Sequence, residues 1–243
     1  FGDKMKRFYK AASVANVATG SGSGLGDYAI ELDGKRIRTP KKTLFVVQSV
    51  GLAEAIAEEW RRQEVDIVPD TMPLLRLANT AIDMVVPKRE GVVDNLAGFG
   101  GTDLLCYRAA EPEDLVERQL QVWSPWLKWA EDQYGARLKT TDGIVHVAQD
   151  VAALRALHGA MDCHDVMELA AMNDLVTIAG SLVLALAVSA GAMDVASAWA
   201  AVRLENDYQS ERWGRDWEAD AHAERLGGEF EVAARFMTLH REG

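Results

Sequence analysis

The chain has 243 residues, of which 49% are hydrophobic and 26% charged, a balance typical of a globular protein and not of a disordered or fibrous one. Its net charge is −11, and residues 1–70 hold eleven basic and ten acidic side chains whereas the remainder holds fifteen and twenty-seven. The excess of acidic side chains in residues 71–243 repels phosphate backbones, so nucleic acid is not an expected partner.

The first fifty residues favour β structure. Strands are predicted at "AASVANVAT" and "TLFVVQS", and "DYAIELDGKRIRTP" alternates apolar and polar residues around Asp33-Gly34, a dipeptide typical of hairpin turns. The glycine-rich "GSGSGLG", residues 20–26, has Leu25 and Asp27 where a dinucleotide-binding fingerprint needs its third glycine, and a strand follows it instead of a helix. We therefore interpret it as a hairpin loop.

A helix is predicted at "GLAEAIAEEWRRQE", where apolar residues recur at helical spacing. Pro69 and Pro73 follow close together and interrupt regular structure, so we place a domain boundary near residue 70. Strands that cluster before a helix, and do not alternate with it, indicate an α+β unit. The predicted fold class is α+β, with a small β-rich domain containing one helix at residues 1–70 and a larger all-helical domain at residues 71–243.

The second domain is predicted to contain helices near residues 73–86, 88–98, 101–108, 112–134, 150–158, 164–172, 174–191, 194–219 and 222–240. The uncharged run "LVTIAGSLVLALAVSAGAM", Leu175–Met193, is long enough for a membrane span. However, Asp174 and Asp194 bracket it without basic or aromatic anchors. We interpret this run as a central helix buried on all sides, so no membrane span is expected.

The stretch "LENDYQSERWGRDWEADA", residues 204–221, carries six acids, two arginines and two tryptophans and lies mostly within the predicted 194–219 helix. A carboxylate pair in it could perform hydrolase-type acid–base chemistry if burial raised the pKa of one member. The alternative is a salt-bridged structural helix. In that case Glu211 with Arg215, and Arg212 with Asp216, form ion pairs one helical turn apart.

No metal, cofactor or catalytic residue is predicted. The five histidines and two cysteines lack the spacing of a zinc site, because "MDCHD" only places Cys163 beside His164. No histidine has an evident nucleophile partner, and no serine lies in a strand–turn–helix nucleophile motif. Cys106 and Cys163 are interpreted as reduced thiols in a cytosol-like compartment.

Several long motifs occur in order between residue 4 and about residue 220: "KRFYK", "LDGKRIRTP", "EWRRQ", "MPLLRLANTAID", "TDLLCYRA" and "LENDYQSERWG". In these motifs the chain resembles the family of assembly chaperones for the α subunit of the F1-ATPase. The resemblance implies a two-domain protein without catalytic activity. Such a protein binds the unassembled α subunit, prevents its aggregation and promotes assembly of the F1 catalytic sector of ATP synthase.

The partner-binding or signature positions that the resemblance implies are Trp60, Gln63, Met72, Pro73, Asn79, Asp83, Asp103, Tyr107, Glu205, Gln209 and Trp213. We expect Glu205 to present or orient the surface that meets the client, together with the residues on the same face of its helix, which are Gln209, Arg212, Asp216 and Asp220. Family members occur in mitochondria and α-proteobacteria, and this chain shows no visible transit peptide. We therefore expect a soluble monomer in a bacterial cytoplasm, or in the mitochondrial matrix if the source is eukaryotic.

Overall fold

The computed structural model describes residues 5–17 and 27–242, so the loop interpreted at residues 20–26 lies outside the described residues. Strands come first in the described chain and helices dominate the rest, which confirms the predicted α+β class. The chain separates into two compact units, and the first contains Phe1–Arg89, Val166–Ala171 and Arg235–Gly243. The second contains Glu90–Asp165 and Met172–Ala234. The division into domains at residue 70 stays a prediction.

The strands of the first unit form one antiparallel sheet: β1 (Ala12–Val17), β2 (Asp27–Leu32), β3 (Lys35–Arg36) and β4 (Val46–Val47). Strand β2 pairs with the other three. The predicted hairpin is confirmed, because β2 and β3 are joined by Asp33 and Gly34, whose φ angles of 49° and 77° suit a tight turn. The strand predicted at "TLFVVQS" is shorter than expected and reduces to β4.

The helices are α1 (Val50–Arg61), α2 (Pro73–Thr80), α3 (Arg89–Gly98), α4 (Glu113–Tyr134), α5 (Val151–Asp162), α6 (Val166–Ala179), α7 (Leu182–Ser189), α8 (Val195–Trp213) and α9 (Trp217–Arg241). Helix α1 begins at Ser49, whose hydroxyl accepts a hydrogen bond from the Leu52 amide. Its buried residues include Leu52, Ala53, Ile56 and Ala57. Helix α2 continues into a π-helical turn, Ala81–Val85.

The helix predicted at residues 101–108 is wrong. Asp103 instead caps a 3-10 turn at Leu104–Cys106, and the chain then extends into β5 (Tyr107–Arg108). Strand β5 pairs in parallel with β6 (Thr141–Asp142). The side chain of Asp103 accepts from the Leu105 amide, and this local hydrogen bond competes with a longer helix.

The single helix predicted across Leu175–Met193 is also wrong, although its predicted burial is confirmed in α7. Gly180, with a φ angle of 61°, ends α6, and Ser181 then caps the start of α7. The buried residues of α7 are Leu182, Val183, Leu184, Ala185, Leu186, Ala187 and Ser189. Within residues 5–17 and 27–242, no helix combines the length and apolarity needed to cross a bilayer.

Candidate functional site

A groove in the first unit brings together four of the residues predicted from the family motifs. It is lined by Trp60 from α1, Met72 and Asn79 at the two ends of α2, and Asp83 from the π-helical turn. Its volume is 620 Å³, within the range of about 300–1,000 Å³ that is usual for binding clefts. We call it the Trp60 groove.

Trp60 joins the groove to a hydrophobic cluster of the first unit. Its ring lies edge-on to Tyr9, with 5.5 Å between ring centroids, and the Tyr9 hydroxyl donates to the Trp60 carbonyl over 2.6 Å. Met72 is buried in the same cluster. Two polar atoms, Trp60 Nε1 and Asn79 Oδ1, are buried without a hydrogen-bond partner among the described residues. The groove therefore has a packed apolar base with two unsatisfied polar atoms.

Asp83 is buried and holds the loop after β3 against the π-helical turn. Its carboxylate accepts from the Thr39 hydroxyl over 2.7 Å and from the Lys41 amide over 2.9 Å. The Lys41 ammonium also donates to the Asp83 carbonyl. These bonds occupy both carboxylate oxygens, so Asp83 fixes the shape of the groove wall.

Gln63 fixes the loop that joins α1 to α2. Its amide nitrogen donates to the Thr71 hydroxyl and to the Glu59 carbonyl, both at 3.0 Å, and its amide oxygen accepts from the Val68 amide over 2.7 Å. Pro73 occupies the first turn of α2, where its missing amide hydrogen costs nothing. Both predicted residues therefore shape the chain around the groove.

Glu59 is a structural residue that the sequence did not reveal. Its two carboxylate oxygens accept from the amides of Leu74 and Leu75 over 2.8 and 2.9 Å, which caps the start of α2. Burial raises the pKa of Glu59, and the two amides oppose that rise. Within "EEWRRQ" the residue looks like any acid on the exposed face of a helix, so the sequence carries no signal for this cap.

Asp103 is fully buried in the second unit and is not a lining residue of the Trp60 groove. Besides the Leu105 amide at 3.0 Å, its carboxylate accepts from the Ser181 hydroxyl over 2.8 Å and the Val183 amide over 3.0 Å. Burial raises the pKa of the Asp103 carboxyl, and these donors lower it in part. The arrangement ties the 3-10 turn to the start of α7. The hydroxyl of half-buried Tyr107 lies 3.2 Å from His146 Nδ1.

Glu205 belongs to a polar network between α4 and α8. Its Oε1 accepts from Gln119 Nε2 over 2.6 Å, and the fully buried Gln119 in turn accepts from the Ala109 amide over 2.8 Å. The Arg108 guanidinium donates to the Gln119 carbonyl over 2.7 Å and lies over the ring of Trp123. Glu205 therefore fixes α8 against α4 through Gln119, a residue that the sequence gave no reason to select.

A second set of contacts between α4 and α8 joins pairs of residues that we did not predict. Asp114 accepts from the Tyr208 hydroxyl over 2.7 Å and pairs with Arg212. Arg118 pairs with Glu211 over 2.8 Å. These donors hold the pKa of Asp114 below its usual range, the Tyr208 hydroxyl contributing most. The predicted ion pairs along one helix are therefore wrong, since Glu211 and Arg212 pair with α4.

Gly214 explains why these ion pairs do not form along one helix. Its φ and ψ angles of 93° and 163° end α8, so the predicted 194–219 helix is wrong. Trp213 ends α8 and Trp217 begins α9, and their rings are 77% and 75% exposed. Glu205, Gln209 and Trp213 follow each other at four-residue intervals on one face of α8. We call the region of Gln209, Trp213 and Trp217, together with the acids Glu211 and Asp220, the tryptophan surface.

An open groove of 1230 Å³ adjoins Trp217, and its acidic lining residues are Asp207, Glu211, Asp220 and Glu224. Asp207 pairs with Arg203, and Asp220 with Arg215, both at 2.7 Å. These carboxylates come from two helices and several of them have an arginine partner. Solvent-exposed ion pairs of this kind do not provide the buried, uncompensated carboxyl that the acid–base interpretation requires.

One contact between a histidine and a hydroxyl was not anticipated. His164 Nε2 lies 2.7 Å from Ser189 Oγ, and His164 Nδ1 lies 3.1 Å from the Ala160 carbonyl. Both side chains are buried, which closes the hydroxyl to a substrate, so the pair joins the turn after α5 to the end of α7. Over the described part of the chain, no three His, Cys, Asp or Glu residues come together in a way that could hold a metal ion.

Comparison with known proteins gives consistent matches. A family model described as "ATP12 chaperone protein" matches residues 6–131. The solved structure of Atp12 from Paracoccus denitrificans superposes with a TM-score of 0.91 at 39% identity, covering 97% of this chain and 98% of that one. The crystal structure of the Atu1473 protein from Agrobacterium tumefaciens gives a TM-score of 0.88 at 36% identity, covering 96% of this chain and 85% of that one.

A curated relative is also similar. The mitochondrial protein atp12 of Schizosaccharomyces pombe is 27% identical over 201 residues, which is 78% of this chain and 69% of the yeast protein. The solved bacterial structures thus match nearly the whole chain, whereas the family model spans its first half.

Proposed function

The chain belongs to the ATP12 chaperone family, and on that premise we propose that it binds the unassembled α subunit of the F1-ATPase. Binding keeps the subunit from aggregating until it enters the F1 catalytic sector. The protein acts by binding and carries out no reaction of its own. It works as a monomer in the bacterial cytoplasm, or in the mitochondrial matrix if the source is eukaryotic.

The observation that carries this proposal is the pair of exposed tryptophans, Trp213 and Trp217. Large aromatic side chains are seldom left in water by monomeric proteins, and at interfaces they contribute most of the binding free energy. Here both rings are more than 70% exposed. Trp217 lines a groove together with Glu211 and Asp220, and Trp213 follows Glu211 by two positions, so apolar rings stand beside charged groups, as in many transient interfaces.

The tryptophan surface suits a client face that is apolar with basic surroundings. The chain is acidic, with a net charge of −11, and charge complementarity raises the rate of encounter and excludes acidic partners. Gln209 is exposed one turn before Trp213 and adds a polar contact. Glu205 is a positioning residue in this proposal, because its hydrogen bond to Gln119 fixes α8.

A double variant, Trp213→Ala with Trp217→Ala, tests the surface. The measurement is light scattering from purified F1 α subunit during dilution from denaturant, with and without the chain. Loss of an interfacial tryptophan costs about 2 kcal/mol or more, roughly thirtyfold in Kd for each residue. We expect the double variant to keep the wild-type melting temperature and to lose protection of the α subunit.

The control is Ile144→Ser, which changes another exposed apolar residue of the second unit, 97% exposed. It should keep both stability and protection. Full protection by the double tryptophan variant would rule out the tryptophan surface as the client-binding site.

Glu205→Lys tests the positioning role. Lysine cannot accept the Gln119 hydrogen bond, so we expect a weaker junction of α4 and α8 and reduced protection. Glu205→Gln keeps an acceptor oxygen and should retain more of the protection. A folded Glu205→Lys variant with unchanged protection contradicts this role.

A further inference from the structure

We propose that the Trp60 groove binds an extended segment of a partner polypeptide in which apolar side chains alternate with acidic ones. This inference goes beyond the proposed function, because it concerns the first unit, away from the tryptophan surface in sequence, and requires no particular client. The proposal has three supports: an apolar base, a basic edge, and two buried polar atoms without partners.

The base of the groove is apolar, and its edge carries two exposed methionines. Ile67, Met72 and Leu75 line it, and the side chains of Met5 and Met84 at its edge are 61% and 46% exposed. Flexible methionines adapt to side chains of different shapes. Covering these side chains removes apolar surface from water, which favours binding of an apolar residue.

The edge of the groove is basic. Arg38, Lys41 and Arg76 line it, and all three are exposed. Among the described residues, neither Arg38 nor Arg76 lies within ion-pair distance of a carboxylate, and Arg38 donates only to the Lys42 carbonyl. Of the described lining residues, only Asp83 is an acid, and its carboxylate already accepts from Thr39 and Lys41. An incoming carboxylate therefore meets uncompensated positive charge.

A second groove adjoins the Trp60 groove. This second groove of 390 Å³ shares Met5, Arg38 and Trp60 with it and adds the exposed cations Lys35 and Arg36. It also contains the acid Asp33, whose carboxylate accepts from the Lys10 and Ala11 amides. Arg36 has Glu31 as a partner at 3.5 Å, whereas Lys35 has no such partner among the described residues. Two adjoining grooves with shared walls suit a chain that runs along both, and not a compact ligand.

Alternation follows from the geometry of an extended chain. Successive side chains of such a chain point to opposite sides, so every second residue can face the apolar base while its neighbours reach the basic edge. The buried Trp60 Nε1–H is a donor and Asn79 Oδ1 is an acceptor, and neither has a partner among the described residues, so each offers a hydrogen bond to a peptide group. Both atoms are covered in this conformation, so a bound chain reaches them after the side chains turn.

The test measures fluorescence anisotropy of two labelled synthetic peptides, one alternating Leu and Asp and one alternating Leu and Lys. We expect the full chain to bind the Leu–Asp peptide, with affinity that falls as salt is added, and to bind the Leu–Lys peptide at least about tenfold more weakly. The double variant Arg38→Glu, Arg76→Glu should lose about tenfold or more in affinity for the Leu–Asp peptide.

The control is Arg137→Glu, one charge reversal of the same kind at a residue of the second unit whose side chain is 85% exposed. It should bind the Leu–Asp peptide like the wild type, and melting curves check that each variant is folded. Four outcomes overturn the proposal. These are equal binding of both peptides, unchanged binding by the double variant, tighter binding of a single-stranded RNA oligonucleotide, and a dimer of the chain that the double variant dissociates. Protection of the α subunit is measured separately, so failure here leaves the proposed function standing.

Discussion

Replacing Asp103 with alanine separates a binding role for this motif residue from a structural one. The carboxylate is fully buried and accepts hydrogen bonds from the Leu105 amide, the Ser181 hydroxyl and the Val183 amide. Alanine leaves these three donors without their acceptor inside the protein. We therefore expect Asp103→Ala to destabilise the second unit and to affect binding only through the loss of folded protein.

The size of the effect follows from two opposing contributions. Each hydrogen bond to a charged acceptor contributes about 1.5–3 kcal/mol, and three are lost. Removing the carboxylate also removes its desolvation cost, which is the reason its pKa is raised. The expected net loss is about 3–5 kcal/mol in the free energy of unfolding. Asp103→Asn keeps one acceptor oxygen but turns a second donor towards Val183, so we expect a smaller loss, about 1–2 kcal/mol.

The assay is urea unfolding followed by tryptophan fluorescence and by circular dichroism, with a check that the two transitions coincide. The expected order of midpoints is wild type, then Asp103→Asn, then Asp103→Ala. If Asp103→Ala unfolds within about 0.5 kcal/mol of the wild type and still fails to protect the α subunit, the structural assignment is refuted. Asp103 would then act at a binding surface.

Three further predictions concern other parts of the chain. Trp60→Arg should lower solubility and cost about 2–4 kcal/mol in urea unfolding, because a charge replaces a ring packed on Tyr9; an unchanged melting curve contradicts this. Native protein at pH 8 should take up one iodoacetamide label, on exposed Cys163, and unfolded protein should take up two. Cys106 is protected in the native protein because burial and the Asp103 charge raise its pKa to about 12. Detection of labelled Cys106 in native protein by mass spectrometry would refute this prediction. The amides of Ala11 and Lys10 lower the pKa of Asp33, so its contribution to stability is present above about pH 4 and lost as the pH falls through its folded value. The stability difference between wild type and Asp33→Asn should accordingly shrink on acidification, and a constant difference would contradict the assignment.

Local signals in the sequence were sufficient where a few neighbouring residues determine the conformation. Asp33 and Gly34 specified the hairpin turn because their positive φ angles are accessible to these residue types. The α+β class followed from where the alternating strands and the helical periods lie along the chain. Such features depend on intrinsic preferences, which tertiary contacts did not override here.

The helix ends were harder to predict, because a glycine inside a helical pattern either continues the helix or ends it. Gly180 and Gly214 both end helices with positive φ angles. In "SERWGRDWE" the charged residues on both sides of Gly214 have the spacing of ion pairs within one helix. This pattern concealed the end of α8 at Gly214. Whether such a glycine ends a helix depends on where the next helix packs, which local spacing does not encode.

The network around Glu205 could not be predicted because it joins residues far apart in sequence. Gln119 lies 86 positions from Glu205, and Asp114 lies 94 positions from Tyr208. A buried glutamine on α4 looks in sequence like any polar residue of an amphipathic helix. The resemblance to a family selected Glu205, but only the packing of α4 on α8 reveals which hydrogen bond it makes.

The central proposal is that the chain binds the F1 α subunit, and the F1 β subunit serves as the control for selectivity. The most direct measurement is co-expression of the affinity-tagged chain with each subunit separately, followed by purification and quantification of the retained subunit. The account predicts that the α subunit is retained, that the β subunit is not, and that the Trp213→Ala, Trp217→Ala variant retains neither. Equal retention of both subunits, or retention of β alone, would contradict it.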